Sequence, residues 1–273
     1  MAVDREHLYA DPHVYDVLHD EGTLADAKLF VRLARRFVSR LALAKSASMP
    51  IRFFEPACGS GRYLHALAKL GHIGIGLDSS MQMLAYARLR ARQLGLGGLV
   101  KTVHAPMEKF MVKPRVDLAF NPINSIRHLG TDRAMLAHLA CVRRTLRPDG
   151  VYVIGLSLAA YGLESPSEDV WVSRRDGLRV TQVVQFEPPS PSAKGPSKRR
   201  ERVISHLTIE PIGAGKQRDV QHRDSRYWLR TFNRAEWEGI VAKAGWRIEH
   251  VCSNTGVACE AREPGYYLFV LRP

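Results

Sequence analysis

Between residues 51 and 157, five short apolar runs alternate with stretches of helical periodicity, and this alternation limits the fold more than any other feature of the chain. The runs cover 51–55, 73–78, 99–103, 116–120 and 151–156, each rich in β-branched or aromatic residues and bounded by Gly, Pro, Asn or Asp. That spacing predicts strands of a parallel sheet joined by crossover helices. Helices are expected over 63–70, over 81–94 with Ser79 and Ser80 supplying caps, and over 132–146, stopped by Pro148-Asp149-Gly150. Because such crossovers are right-handed, a doubly wound α/β sheet is almost the only topology left.

Beyond Ser157 the pattern changes. Residues 170–187 and 202–210 read as strands separated by turns, so 165–230 is expected to form an antiparallel excursion. A helix at 233–244, capped by Asn233 and stopped by Gly245, and two strands at 246–252 and 266–271 bring the sheet to seven strands. Residues 1–48 read as mostly helical, with Arg32, Arg35, Arg36 and Arg40 among the polar positions of an apolar-striped segment at 26–43. The expected layout is a helical cap (1–48), a ligand-binding core (49–160), an antiparallel β insertion acting as a substrate lid (161–230) and a closing helix with two strands (231–273).

The chain has 273 residues, 45% of them hydrophobic, which suffices for one sizeable core. No apolar run approaches the ~18 residues of a membrane span and the first residues lack the apolar core of a secretory signal, so a cytoplasmic protein is expected. Cys58, Cys141, Cys252 and Cys259 are scattered, without the paired spacing of zinc ligands, and neither a disulfide framework nor a metal is expected. The net charge of +13 makes nucleic acid a conceivable partner. Lys and Arg are nevertheless spread along the chain, and the one dense run, Lys198-Arg199-Arg200-Glu201-Arg202, follows a Pro/Ser/Gly-rich stretch and reads as a solvated loop.

The chemistry concentrates in Glu55-Pro56-Ala57-Cys58-Gly59-Ser60-Gly61, between the first strand and the first helix. Small residues there let a ligand approach the backbone, and amides at the helix start favour an anionic group such as a carboxylate. A dinucleotide site would place a third glycine where Leu64 stands, and Glu55 just ahead of the turn would repel a pyrophosphate. A zwitterionic ligand suits the turn better than a diphosphate.

With Ala57 in place of its first glycine, this run resembles the E/D-x-G-x-G-x-G motif of the class I S-adenosylmethionine-dependent methyltransferases. Gly76-Leu77-Asp78-Ser79-Ser80-Met81-Gln82-Met83-Leu84 is similar to the family's G-x-D-x-S-x-x-M-L run. His104-Ala105-Pro106-Met107-Glu108-Lys109-Phe110 is similar to its G-D-M-x-x-F, with Pro106 where the usual aspartate stands, and Asn121-Pro122-Ile123-Asn124-Ser125-Ile126-Arg127-His128-Leu129 to the N-S-F-x-H-L run of small-molecule members. The resemblance implies a Rossmann-like fold and S-adenosyl-L-methionine as cofactor, leaving S-adenosyl-L-homocysteine as product. It implies cofactor contacts from Tyr15, Glu55, Ala57, Cys58, Gly59, Gly61, Asp78 on the ribose, Ser79, Met83 on the adenine, Pro106, Met107, Asn121 and Ile123. It implies methyl transfer to an N or O atom of a small acceptor approached by Tyr9, Arg127, Tyr227 and Arg230, in a monomer or homodimer.

Several positions carry two readings. Tyr9 and Tyr15 gate the cofactor or simply pack the N-terminal helix. His128 is the nearest candidate general base, which a hydroxyl acceptor would need and an amine would not, or only a hydrogen-bonding residue. Arg127, Tyr227 and Arg230 hold an anionic acceptor or form salt bridges, and Cys58 is a packing residue before it is a nucleophile. A nucleic-acid methyltransferase and a non-catalytic cofactor-binding protein are the rival functions.

Overall fold

The computed structural model describes residues 9–43, 49–190, 199–212 and 219–273, so Lys198 and most of the Pro/Ser/Gly-rich stretch lie outside the described residues. Helices α1 (Pro12–Leu18), α2 (Thr23–Phe37) and α3 (Ser39–Ala42) precede β1 (Arg52–Pro56). The chain continues through α4 (Arg62–Lys69), β2 (Ile73–Asp78), α5 (Met81–Gln93), β3 (Val100–His104) and β4 (Val116–Asn121). A 3-10 turn (Ser125–His128), α6 (Asp132–Thr145) and β5 (Leu146–Leu158) follow. Four strands come next without a helix: β6 (Ser167–Arg175), β7 (Leu178–Glu187), β8 (Arg200–Pro211) and β9 (Gln221–Arg230). The last elements are α7 (Arg234–Lys243), β10 (Arg247–Cys252) and β11 (Gly265–Arg272).

Seven strands build a Rossmann-like sheet in the order β10-β11-β5-β4-β1-β2-β3, with β11 antiparallel to both neighbours and the remaining pairs parallel. The other four form a separate antiparallel sheet in the order β6-β7-β8-β9. Capping side chains set the helix starts: Ser80 for α5, Thr131 for α6, and for α7 a reciprocal box between Asn233 and Glu236. The central sheet buries one cluster beneath α6 and α7, around Phe54, Tyr152, Trp237 and Phe269, and another beneath α2 and α4, around Phe30, Phe53 and Phe120. Helix α1 joins neither. Its Val14, Val17 and Leu18 pack against Val180, Leu207 and Ile209 of the second sheet.

Three expectations change. The single strand expected at 170–187 is a hairpin, β6 and β7, folded at Asp176-Gly177, whose φ values of 54° and 76° are the paired left-handed conformation that two-residue turns require. The basic run is not a loop: Arg200, Glu201 and Arg202 open β8 and pair with Arg230, Leu229 and Trp228 of β9. Pro148-Asp149-Gly150 does not precede the fifth strand but lies inside β5, at a bulge where the pairing moves from Val116–Leu146 to Leu118–Val151. Among the described residues no helix is long and apolar enough to cross a membrane, and no group of acidic, His and Cys residues is arranged to hold a metal.

The base of the sheet is tied by Asp117, which is fully buried. Its Oδ2 accepts from the Arg52 amide at 2.8 Å, and its Oδ1 faces the guanidiniums of Arg40 and Arg147. Asp117→Ala leaves two cations facing a void, and urea unfolding should show a loss of about 3 kcal/mol, at the low end for a broken buried ion pair because both arginines can rehydrate. A loss under about 1 kcal/mol would mean that the carboxylate contributes little.

Candidate active site

At the carboxyl end of β1 the chain folds back on β2. The Cys58 amide donates to the Leu77 carbonyl at 2.9 Å, and the Gly59 amide to Asp78 Oδ2 at 2.8 Å. The second Asp78 oxygen accepts from the Ser80 amide at 2.8 Å, so one carboxylate holds both the glycine turn and the start of α5. Gly59 and Gly61 have φ values of 52° and 75°, which glycine adopts freely. Ala57, at 55°, does not. The sequence presents Ala57 as a mild replacement for glycine, one added methyl group, but the left-handed backbone costs an L-residue about 1–2 kcal/mol. Cys58 packs face-on to β2, where a Cβ on Gly76 would lie 2.5 Å from its sulfur. Burial pushes its thiol pKa well up, which leaves it a packing group rather than a nucleophile.

Helix α1 is fastened over this turn by Asp16, a buried carboxylate that accepts from Ser60 Oγ at 2.8 Å, Tyr86 Oη at 3.0 Å and Arg175 Nη2 at 2.5 Å. These partners belong to the glycine turn, α5 and β6. One side chain thereby links the turn, the central domain and the second sheet. The same helix lays Tyr15 on the turn, its ring 3.4 Å from where a Gly59 Cβ would stand.

Between the turn and the second sheet lies a cleft of about 780 Å³, within the range of small-molecule sites. Aromatic rings crowd its roof: His128 stacks on Tyr227 with centroids 5.9 Å apart, Tyr9 meets both at 6.2 and 6.4 Å, and Tyr15 leads through His19 to Trp171. Burial and the neighbouring Arg62 lower His19 to a pKa of about 3, so it is neutral at physiological pH. Among the described residues, the carboxylates lining the cleft are Glu55, Glu164, Asp169 and Glu201, and the guanidiniums are Arg62 and Arg127. Two buried oxygens in its wall, Glu55 Oε2 and Gln182 Oε1, have no hydrogen-bond partner. Burial raises the Glu55 pKa well above the carboxylate range, and Asp78 adds to the shift against the opposing pull of Arg62. On the floor, Ile123 and Asn124 hold φ values of 55° and 62°. A β-branched residue in that region is strained, and such strain gathers at functional sites. The Asn124 side chain steadies it, accepting from the Ser157 amide at 2.7 Å and donating to Ser157 Oγ at 2.9 Å.

Of the residues singled out from sequence, Tyr9, Tyr15, Glu55, Ala57, Cys58, Ile123, Arg127, His128 and Tyr227 line this cleft. Gly59 and Gly61 form the turn beside it. Asp78, Ser79, Pro106 and Met107 border a separate ledge at the ends of β2 and β3, where the Asp78 carbonyl accepts from the Ala105 amide at 3.2 Å. His138, neutral because burial lowers it to a pKa of about 4, holds that ledge by donating to the Met107 carbonyl at 2.9 Å. Met83 is buried on α5 and presents almost no surface. Asn121 is buried and donates to the Pro56 carbonyl at 2.7 Å, which braces the turn from behind. Arg230 is away from the cleft, its guanidinium taken by Asp132 at 2.5 Å and laid over Phe232. Arg62, His19, Glu164, Trp171, Gln182 and Tyr266 were not anticipated. Arg62, directly after Gly61 at the start of α4, and His19, one helical turn after Tyr15, carried a signal in the sequence; the others are brought in by distant strands and loops.

Residues 54–150 match a family model described as a methyltransferase domain. The chain is 28% identical over 202 residues to the dTDP-3-amino-3,4,6-trideoxy-alpha-D-glucopyranose N,N-dimethyltransferase of Streptomyces venezuelae, covering 72% of this chain and 76% of that protein. The fold matches that of Streptomyces venezuelae DesVI with a TM-score of 0.71 at 23% identity over the whole of both chains. It also matches CalS10, an amino pentose methyltransferase from Micromonospora echinaspora solved with bound S-adenosylmethionine, with a TM-score of 0.63 at 21% identity, covering 90% of this chain and 89% of that one.

Two measurements check this geometry. Ala57→Gly should raise stability by about 0.5–1 kcal/mol in denaturant unfolding, the relief of the left-handed strain less the added chain entropy; a loss would contradict the assigned strain. A cation lodged beside Glu55 must pull its raised pKa back down and release a proton. Calorimetric heats of S-adenosylhomocysteine binding should therefore depend on the buffer's ionisation enthalpy, and Glu55→Gln should remove the dependence. Buffer-independent heats for the unaltered protein would contradict the linkage.

Proposed function

We propose that this chain, a class I S-adenosylmethionine-dependent methyltransferase, transfers the cofactor's methyl group to the amino nitrogen of a small-molecule acceptor. The observation that carries the reading is that Glu164 and Asp169 line the cleft with no ion-pair partner among the described residues, in a chain of net charge +13. An acid-rich, aromatic wall draws a cationic amine and stabilises it by charge and by cation–π contact. The Streptomyces venezuelae relative, by its name an N,N-dimethyltransferase, agrees with it.

The residues present fit the cofactor. Glu55 Oε2, buried without a partner, is the acceptor that an amino-acid ammonium would satisfy, and Arg62 beside it suits the carboxylate of the same group. In this reading the amides of 57–59 border the methionine portion, Asp78 uses its remaining lone pairs on the ribose hydroxyls, and Pro106 and Met107 flank the base. Tyr15, laid across Gly59, closes the site from above and excludes water. When bound, the sulfonium supplies an electrophilic methyl carbon and leaves as a thioether.

What the protein must add is alignment and a free lone pair on nitrogen. Carboxylates gather the amine as its ammonium form. Loss of that proton to His128, a carboxylate or water then frees the lone pair, and the new N–C bond forms as the C–S bond breaks. An ammonium proton exchanges with water without a dedicated base, so His128 acts mainly as an aromatic wall with Tyr9 and Tyr227.

Incubation with methyl-labelled cofactor and a panel of amino compounds should give products whose label resides on nitrogen by NMR; label on oxygen alone would overturn the reading. His128→Asn should lower kcat for an amine by less than about tenfold, well short of the 10²–10⁴ expected on removal of a general base. A loss beyond a hundredfold would instead make His128 the base.

A further inference from the structure

We infer that the acceptor amine carries no phosphate: the cleft is built for a donor-rich amino compound and against a nucleotide-linked one. The inference rests on the N-methylation reading and narrows its substrate class.

A phosphate ester needs hydrogen-bond donors and positive charge. Among the described residues lining the cleft, Arg127 and Arg62 are the two permanent cations; Arg127 is committed within the protein, and Arg62 is left to the carboxylate of the cofactor. Arg127 is 4% exposed; its Nε donates to the Arg230 carbonyl at 2.7 Å, and its Nη2 pairs with Glu201 at 2.6 Å. Arg62 donates to Thr23 Oγ1 at 2.5 Å and to Tyr63 Oη at 2.9 Å, lies over the Tyr63 ring, and faces Glu55 at the cofactor end. The acceptor half is bordered by Glu164 and Asp169, which repel a diphosphate, and by the Arg127–Glu201 pair, which offers it no free charge.

The unpaired groups point the same way. Gln182 is 1% exposed, its Nε2 donates to Ser205 Oγ at 2.7 Å, and its Oε1 faces the cleft without a partner. Glu55 Oε2 being left to the cofactor, Gln182 Oε1 is the unpartnered buried side-chain atom of the acceptor half, and among the described residues no unpartnered buried side-chain donor lines the cleft. That oxygen is satisfied by an ammonium or hydroxyl donor of the acceptor and not by a phosphate oxygen. The curated relative is named for a dTDP-linked amino sugar, whose diphosphate has no counterpart here. In a reaction sequence, this chain would act on an amine that has never been joined to a nucleotide, or after a glycosyl transfer has removed it.

The test is competition on the full chain loaded with S-adenosylhomocysteine, using dTDP as the phosphate probe and calorimetry as the readout. The unaltered protein should bind dTDP more weakly than about 1 mM, whereas the Glu164→Lys, Asp169→Lys double variant should bind it at least tenfold more tightly, about 1.4 kcal/mol. Micromolar dTDP binding by the unaltered chain, or no gain in a double variant that unfolds at the same temperature as the parent, overturns the inference. In parallel, a dTDP-linked 3-amino sugar and its methyl 3-aminoglycoside are offered as acceptors. N-methylation of the glycoside alone supports the inference and preferred methylation of the nucleotide overturns it, while O-methylation of either refutes the parent reading instead.

Discussion

The hydrogen bond from the Gly59 amide to Asp78 is the contact on which the site depends. It ties the end of β1 to the end of β2, and with the Ser80 amide on its other oxygen the same carboxylate sets where α5 begins. Once the turn is fixed, Ser60 presents its hydroxyl to Asp16, and Asp16 fixes α1, Tyr86 and Arg175. The chain of contacts therefore runs from a cofactor-sized turn to a lid helix and on to the sheet that walls the acceptor cleft. A ligand that orders the turn would, through Asp16, also order the surface on which the second substrate rests.

Charge is distributed against the average of the molecule. Arginines dominate the count, but most of those that reach inward are spent on carboxylates: Arg40 and Arg147 on Asp117, Arg175 on Asp16, Arg127 on Glu201, Arg230 on Asp132, while Arg62 donates to Thr23 and Tyr63. Glu164 and Asp169 line the cleft without a guanidinium of that kind, and the Glu164 carboxyl is raised by its own burial and by Glu201. Net charge read from composition thus points toward polyanions, whereas the local field at the cleft favours a cation. Local geometry decides, because charges more than about 10 Å away are largely screened at ordinary ionic strength.

The central sheet and the glycine turn were legible because their signals are local. Strand and turn are contiguous at 52–62 and again at 73–83, so the glycine turn and Asp78 could each be put at a strand end from sequence, while the hydrogen bond between them could not. The antiparallel sheet was legible only in part. β9 opens with six polar or charged residues, Gln221 to Arg226, and has only the short apolar run Tyr227-Trp228-Leu229, and the Asp176-Gly177 turn lies inside a stretch read as one strand. The acceptor wall was not legible, since Glu164, Asp169, Gln182, Glu201 and Tyr266 converge from the β5–β6 connection and from β6, β7, β8 and β11, and nothing in their spacing announces the meeting. Of the two readings open for Arg127 and Arg230, the structure has the salt bridges. Both look available on the sequence and both are sequestered by acidic or carbonyl partners supplied by distant segments.

A crystal structure of the chain with S-adenosylhomocysteine bound tests the central claim most directly. The account places the amino-acid tail against 55–62, with its ammonium on Glu55, and the ribose hydroxyls on Asp78. A tail lodged elsewhere, or a ribose out of reach of Asp78, would contradict it.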